Sequence, residues 1–354
     1  MKRIAVVVPG SIAQRSGGYE YDRRIVAGLR ARGWVVNLHE IDGGFPRPSS
    51  AALETAAQTL AAIPDGSLVL VDGLAFGAMP AEVERECGRL NFVALVHLPL
   101  AADVGIDRQE ADRFEQSERR ALAAARACIV TGSATLGPLE AYGVRPEQIA
   151  VVEPGTDRAP LARGSRNPVH LVSVAAITPG KGHELLLRAL ARLSQRAWRL
   201  TCAGSLDRDP ATAARVRELV NAEQLGKRVA LVGELDAPEL SALYDSADVF
   251  VHASLHETYG MVVAEALAHG VPVVGSATGA IPDLVGSDGG LLVPPGDAAA
   301  LEGALSSVID DLDVRNRLAA GARRVRDRLP TWDDAVGKLA NLLARLENDG
   351  SFAH

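Results

Sequence analysis

Short runs of β-branched and apolar residues alternate with helix-length amphipathic segments along almost the whole chain. This rhythm constrains the fold more than any other feature. "IAVVV" is followed by an arginine-rich helical pattern ending near Gly33, and then by "VVNLHEI". A helix around 51–62 leads to "SLVLVDG", and one around 81–89 leads to "NFVALVHL". A helix around 109–125 leads to "ACIVTGS", and a short one near 134–142 leads to "IAVVEPGTD". These runs are too continuously apolar for a sheet with one wet face, so parallel strands covered by helices on both sides are expected. The polar stretch "RAPLARGSRNP" breaks the rhythm and reads as a linker.

A second βα series follows, through "VHLVSVAAI", "RLTCAGS", "VALVGEL", "DVFVHAS", "VPVVGSA" and "GLLVPPGD", and closes with helices from about 298 to 347. The 354 residues suit two domains of about 150 each. The expected fold class is therefore α/β, with two facing Rossmann-like doubly wound domains. Strand C-termini and loops from each would meet at a cleft between them.

Charge and cysteine content narrow the function classes. A net charge of −7 argues against nucleic acid as the main partner. The three cysteines, Cys87, Cys128 and Cys202, lie far apart in or beside apolar segments. They read as buried thiols of a reducing compartment, not as a disulfide frame or zinc site. "MKRIAVVVPG" is broken by Pro9 and Gly10, so a first strand is expected there and not a leader. No run approaches the roughly 18 apolar residues of a membrane span, and a cytoplasmic location is expected.

The stretch "SLHETYGMVVAEALAHGVPVV" carries two glutamates eight positions apart, Glu257 and Glu265, on a segment otherwise built for burial. Thr258 is the expected N-cap, and the amides of Tyr259, Gly260, Met261 and Val262 would then lack helical partners. Such a helix start attracts anions and oxygen-rich ligands. Two carboxylates there suit the hydroxyls of a sugar or ribose. A plainer reading makes Glu257 a dipole partner and Glu265 a solvated helix residue. In "AAITPGKGHE", Lys181 stands between Gly180 and Gly182 at another helix start, where a lysine can meet a phosphate. Taken alone it is more often a surface lysine. Gly204 ends the next strand and leaves room for close approach.

"HETYGMVVAEALAHGVPVV" resembles the E-x7-E signature of the retaining glycosyltransferases of family 4, which have the GT-B fold. "VVEPGTD", "TPGKGHELLLRAL", "ADVFVHAS" and "GSATGAIPDLVGSDGGLLVPPGDAAALEGAL" match the family's segments in order, nearly all in the second domain. "WDDAVGKLANLL" resembles the final helix that crosses back to the first domain. The domains are accordingly expected at 1–163, joined by a helix at about 332–347, and at 164–331. The resemblance implies that Glu265 binds the ribose and Glu257 faces the donor sugar. It also gives Lys181 the diphosphate of a nucleotide sugar, UDP or GDP. The family commonly has an arginine five positions before the lysine, where this chain has Ala176. The resemblance further implies metal-independent retention by front-face attack, with no cofactor beyond the donor.

In the first domain, Gly17 and Gly18 precede a helix and match a glycine-rich diphosphate loop of the family, or form a plain helix-entry turn. His97 ends an apolar strand. A lone histidine there is usually a packed residue, but the family often has a cleft histidine that touches the donor sugar or shuttles a proton. Asp103 and Asp107 could orient an acceptor or be solvated. "DRD" at 207–209 imitates a metal-binding pattern in the wrong kind of domain, so no metal is expected. Arg15, Arg23, Arg24, Arg30 and Arg32 could face anionic lipid, although a solvated helix is the plainer expectation. The acceptor is not legible: a saccharide, a small molecule or a lipid-linked group are all open. A phosphorylase or epimerase on the same fold and a non-catalytic sugar-nucleotide binder are the alternatives. A dinucleotide dehydrogenase lacks its glycine fingerprint.

Overall fold

The structure, a computed structural model, describes residues 2–165 and 167–348. The chain divides into two compact units, Met1–Gly155 with Pro330–His354, and Thr156–Leu329.

Among the described residues, the first unit holds a six-stranded parallel sheet. Its strands are β1 (Arg3–Pro9), β2 (Val35–Ile41), β3 (Leu68–Asp72), β4 (Asn91–Val96), β5 (Ala127–Val130) and β6 (Ile149–Val151). The spatial order is β2-β1-β3-β4-β5-β6. Side chains alternate between the two faces of each strand. Ile4, Val6 and Val8 thus join the core under the first helix, Gly17–Ala31, while Ala5 and Val7 join the core on the other face. Burial on both faces explains why these strands read as unbroken apolar runs.

The helix Trp332–Asn348 belongs to this first unit, as the resemblance implied. Ala335, Val336, Leu339, Ala340, Leu343 and Leu346 form one buried stripe at helical spacing and join the core with Ile25, Val26 and Leu29. Gly28 is what lets the two helices approach, because a Cβ there would overlap the methyl groups of Val336. Tyr21, fully buried, donates from its hydroxyl to the Val152 carbonyl at 2.9 Å and lies edge-on to Trp332.

The second unit has its own six-stranded parallel sheet among the described residues. Its strands are β7 (Val169–Val174), β8 (Trp198–Ala203), β9 (Val229–Gly233), β10 (Val249–His252), β11 (Val273–Ser276) and β12 (Gly290–Val293). They lie in the order β12-β11-β10-β7-β8-β9. In each sheet the chain winds outward from one strand and then restarts beside it. The reversals fall between β1 and β3 and between β7 and β10, and ligands of open α/β sheets bind outside such switch points.

The sequence placed 156–163 with the first domain, but this segment bonds to the second unit. The Ala162 amide donates to the His269 carbonyl at 2.8 Å, and Arg163 pairs with Asp245. Cys128 and Cys202 are buried as expected, whereas Cys87 is exposed. It follows the short helix Pro80–Glu86 as its C-cap, a position facing water despite the apolar neighbours. Most arginines on and beside the first helix have partners. Arg23 and Arg24 pair with Glu20, Arg30 reaches the Val36 carbonyl and Arg32 pairs with Asp333. No helix among the described residues is long and apolar enough to cross a membrane.

Candidate active site

At the switch point of the second unit, the loops after β7 and β10 are tied together. The Leu255 amide donates to the Gly180 carbonyl at 2.8 Å. Gly182, at φ 67°, leaves no room for a side chain because a Cβ would overlap the Ala253 carbonyl. This contact, and not only ligand approach, demands the glycine beside Lys181. It carries Lys181 Nζ to within 2.5 Å of Glu257 Oε1. The same carboxylate oxygen lies 2.9 Å from Nε2 of His252, the last residue of β10 and 2% exposed. Lys181 and Glu257, two residues singled out from the sequence, are therefore in direct contact. His252, which in the sequence is simply the end of an apolar strand, holds Glu257 through this hydrogen bond.

Burial works against ionisation of Glu257, but the Lys181 charge and the His252 hydrogen bond outweigh it. They hold the carboxyl well below the ordinary glutamate range. His183, 3% exposed, has neither ring nitrogen hydrogen-bonded. Burial, with His252 and Lys181 nearby, pushes its pKa down to about 4. The ring is thus neutral at physiological pH, and Lys181 carries the positive charge of this loop.

The helix after β10 starts at Met261, and its N-cap is Gly260 at φ 92°, not Thr258. The Thr258 carbonyl is instead used by the Ala280 amide at 3.0 Å, which pins the loop to the turn after β11. A Cβ at Gly260 would also press on Ile281. The helical ladder begins with the Val263 and Ala264 amides on the Gly260 carbonyl. The amides of Met261 and Val262 come before it and have no helical acceptor. Tyr259 is buried at 4% and packs with Ala264 and Ala280. Glu265 is half-buried, and its carboxylate accepts from the Tyr244 hydroxyl at 2.9 Å. Tyr244 stacks on His269 and is too deeply buried, and too close to Glu265, to ionise. Its phenol is a fixed donor that sets the orientation of Glu265. Nothing in the sequence pointed to it, because Tyr244 lies in the last turn of a different helix, Ala237–Asp245.

Gly204 follows β8 at φ 142°, and a Cβ there would overlap the backbone of Ala175 and Ala176. The glycine is explained by the close approach of the chain leaving the neighbouring parallel strand β7. Asp209 of the "DRD" stretch caps the helix Pro210–Ala222, accepting from the Thr212 amide at 2.9 Å.

In the first unit, Ser16 caps the helix that Gly17 and Gly18 open. Gly18 lies against the His97 ring, and a Cβ there would stand 3.2 Å from its Cδ2. One turn further along, Asp22 Oδ1 lies 3.1 Å from His97 Nε2, and Asp72 Oδ2 lies 3.6 Å from it. The helix thus brackets the imidazole with a glycine and a carboxylate four residues apart. Both aspartates are buried, and neither was singled out in the sequence. The pairs "GGYEYD" and "LVLVDG" were the available signal, an acid one turn after a glycine opening and an acid at a strand C-terminus. Asp107 does not face this cluster; it caps the helix Arg108–Ala123 through the Glu110 amide.

Residues 159–325, nearly all of the second unit, match the family model for glycosyl transferases group 1. The match covers just under half of the chain, which through this unit is similar to the group 1 glycosyl transferases. An MMP α-(1→4)-mannosyltransferase of Mycolicibacterium hassiacum is 29% identical over 313 residues, covering 83% of this chain and 74% of that protein. A D-inositol 3-phosphate glycosyltransferase of Corynebacterium efficiens is 32% identical over 200 residues, 51% of this chain and 47% of that one. The chain thus spans about half the length of that relative. Among solved structures, a sucrose-phosphate synthase from Thermosynechococcus elongatus superposes with a TM-score of 0.84 at 22% identity, over 99% of this chain and 100% of that one. The Anabaena protein Alr3699/HepE, solved with UDP-glucose, gives 0.77 at 17% identity over 97% and 99%. The chain therefore has the GT-B fold, with two six-stranded parallel sheets among the described residues, each covered by helices.

Proposed function

We propose that the chain transfers a sugar from a nucleoside-diphosphate sugar to an acceptor hydroxyl with retention at the anomeric carbon. The reading rests on the Lys181–Glu257–His252 chain at the switch point of the second unit, with Glu265 held by Tyr244 on the adjoining helix. Glu265 is assigned to the ribose hydroxyls and Glu257 to hydroxyls of the transferred sugar. Lys181, with the amides of Met261 and Val262, meets the charge that grows on the diphosphate as the C1–O bond breaks. In the first unit, Gly17 and Gly18 are assigned to phosphate oxygens and His97 to a sugar hydroxyl, as the resemblance implies. In the proposed front-face step the acceptor oxygen bonds to C1 on the side from which the diphosphate leaves. The acceptor proton passes to a diphosphate oxygen, so no protein nucleophile and no metal ion are called upon.

Ala176 leaves Lys181 without the arginine common in the family, and Lys181 is engaged by Glu257 before any donor arrives. Donor binding must therefore draw the ammonium from carboxylate to phosphate and free Glu257 for sugar hydroxyls. UDP or GDP is the expected nucleotide. The names of the relatives offer a mannosyl donor and a phosphorylated inositol acceptor as first trials.

Calorimetric titration with UDP-, GDP-, ADP- and dTDP-sugars tests the proposal. One donor class is expected to bind, with at least tenfold weaker affinity in Glu265→Ala, about 1.4 kcal/mol. Lys181→Ala should lower kcat by roughly 10²–10³, the range for losing a principal charge donor at a leaving group. Donor binding that survives Glu265→Ala unchanged would remove the ribose assignment. Failure of all four donors to bind would remove the proposal.

A further inference from the structure

His97 is held by a buried pair of carboxylates. Asp22 and Asp72 are 2% and 3% exposed, and the ligand-capable atoms of the two aspartates and His97 all lie within 4.8 Å of one another. Asp72 Oδ1 accepts from the Leu74 amide at 2.7 Å, so Oδ2 is the oxygen turned toward His97. Asp22 Oδ1 meets His97 Nε2, while Asp22 Oδ2 is buried with no hydrogen-bond donor. Two ionised carboxylates packed this closely, one lacking a donor, would leave buried negative charge uncompensated, which is strongly unfavourable. One proton on Asp72 removes a negative charge and supplies the donor that Asp22 lacks. The other titratable side chain against the ring is Tyr21, edge-on at 5.3 Å. Burial and Asp22 raise its phenol far above its ordinary range, so it stays neutral.

We propose that Asp22 and Asp72 are positioning residues that share one proton and fix the Nε2–H of His97 on Asp22, leaving Nδ1 as the atom His97 presents to ligand. Nδ1 makes no hydrogen bond among the described residues, and the side chain is 21% exposed. Gly18 is what keeps the ring edge accessible to the helix start. The cluster lies outside the C-terminal ends of β3 and β4, at and beside the switch point of the first sheet. The electrostatics agree: burial, then Asp22, push Asp72 up to about 7. Burial opposes charge on His97, but Asp22 and Asp72 raise its pKa above the ordinary value. The role given to Nδ1 rests on the glycosyl-transfer reading; the placement of the proton does not.

The test is histidine ¹⁵N and aspartate ¹³C-carboxyl NMR on the full chain without donor, with His97→Gln identifying the ring signals. In wild type, the His97 ring is expected to titrate above an ordinary histidine and to keep its proton on Nε2 once neutral. The Asp72 carboxyl should titrate near neutrality. Asp72→Asn imitates the protonated acid, because its amide can donate to Asp22, and should leave the tautomer unchanged. Asp22→Asn should lower the His97 pKa and admit the Nδ1–H tautomer. It should also cut kcat about 10- to 100-fold with nucleotide affinity unchanged, the span of a proton-transfer or positioning group. Equal effects of the two substitutions on the ring, or an Asp72 carboxyl that titrates as ordinary aspartate in wild type, overturn the shared proton. So does stoichiometric Zn²⁺ shifting the His97 signals, which would make the cluster a metal site. If Asp22→Asn does not fold, the wild-type carboxyl titration and Asp72→Asn still decide. Absence of any donor binding would sink the transfer reading while leaving the NMR result intact.

Discussion

Glu118 shows how a buried acid with no catalytic assignment can govern stability. One oxygen accepts from the Leu100 amide at 3.0 Å, the other has no partner, and the residue is 1% exposed. Burial pushes its pKa up to about 8. The folded chain therefore holds a proton that the unfolded chain releases above its ordinary value. The associated stability is complete at acid pH and is lost as pH rises toward 8, at up to about 1.4 kcal/mol per pH unit. Glu118→Gln keeps the acceptor for Leu100 and should flatten that slope in urea denaturation followed from pH 5 to 9. Gly182→Ala should cost about 2–4 kcal/mol, the scale of overpacking combined with a left-handed backbone, and weaken donor binding with it. Denaturant midpoints and calorimetry measure the two effects. Residues of this kind divide by legibility. Glu257, Glu265 and Lys181 were visible because carboxylates and a lysine before or within an otherwise apolar helical segment are anomalous. Tyr244, His252, Asp22 and Asp72 were not, because each looks like an ordinary strand or helix residue. Their meaning comes from partners brought close only by the winding of the sheet. Thr258 failed as a cap for a related reason: a left-handed glycine two residues later starts the helix, and the threonine carbonyl is spent on the turn after β11.

At the level of elements, the strands were legible almost throughout, since burial on both faces leaves unbroken apolar runs that few other structures tolerate. The helix starts were less so. The short helices Gly73–Phe76 and Ile281–Val285 sit in what the sequence presented as loops. They are too brief to show periodicity. The final helix was legible through resemblance, and its stripe of Leu339, Leu343 and Leu346 confirms why it docks. Each such leucine contributes about 2 kcal/mol by burial. Its seat depends on a glycine-for-valine fit between two helices, Gly28 against Val336. Gly28→Ala should destabilise the first unit by about 1–3 kcal/mol, and adding Val336→Ala should recover part of that loss. A double-mutant cycle in urea checks the pairing; additive losses would show that the helices can shift apart freely.

Across the whole molecule, the two units should respond to pH in opposite directions. In the first, Asp72, His97 and Glu118 all have raised pKa values, so stability is complete in acid and falls as pH rises through neutrality. In the second, Glu257 and His183 have lowered values. Their stability is present near neutrality and is lost as pH falls, first as His183 of the unfolded chain protonates below about 6.5 and then as Glu257 does. Exposed carboxylates such as Glu84 and Glu110 pull the first unit the other way, but surface pairs count for little. Scanning calorimetry at pH 5, 7 and 9 should show two transitions whose order changes; a common shift of both would contradict the assignment. The chain's path has a further consequence, for the order in which these units come into being. The second unit is one continuous segment, Thr156–Leu329, set between the two parts of the first. During synthesis at roughly 5–20 residues per second, the strands made first must wait for that whole segment to pass before their last helix arrives. The unit begun first is finished last, and its half-covered sheet is the surface that nascent-chain chaperones would meet.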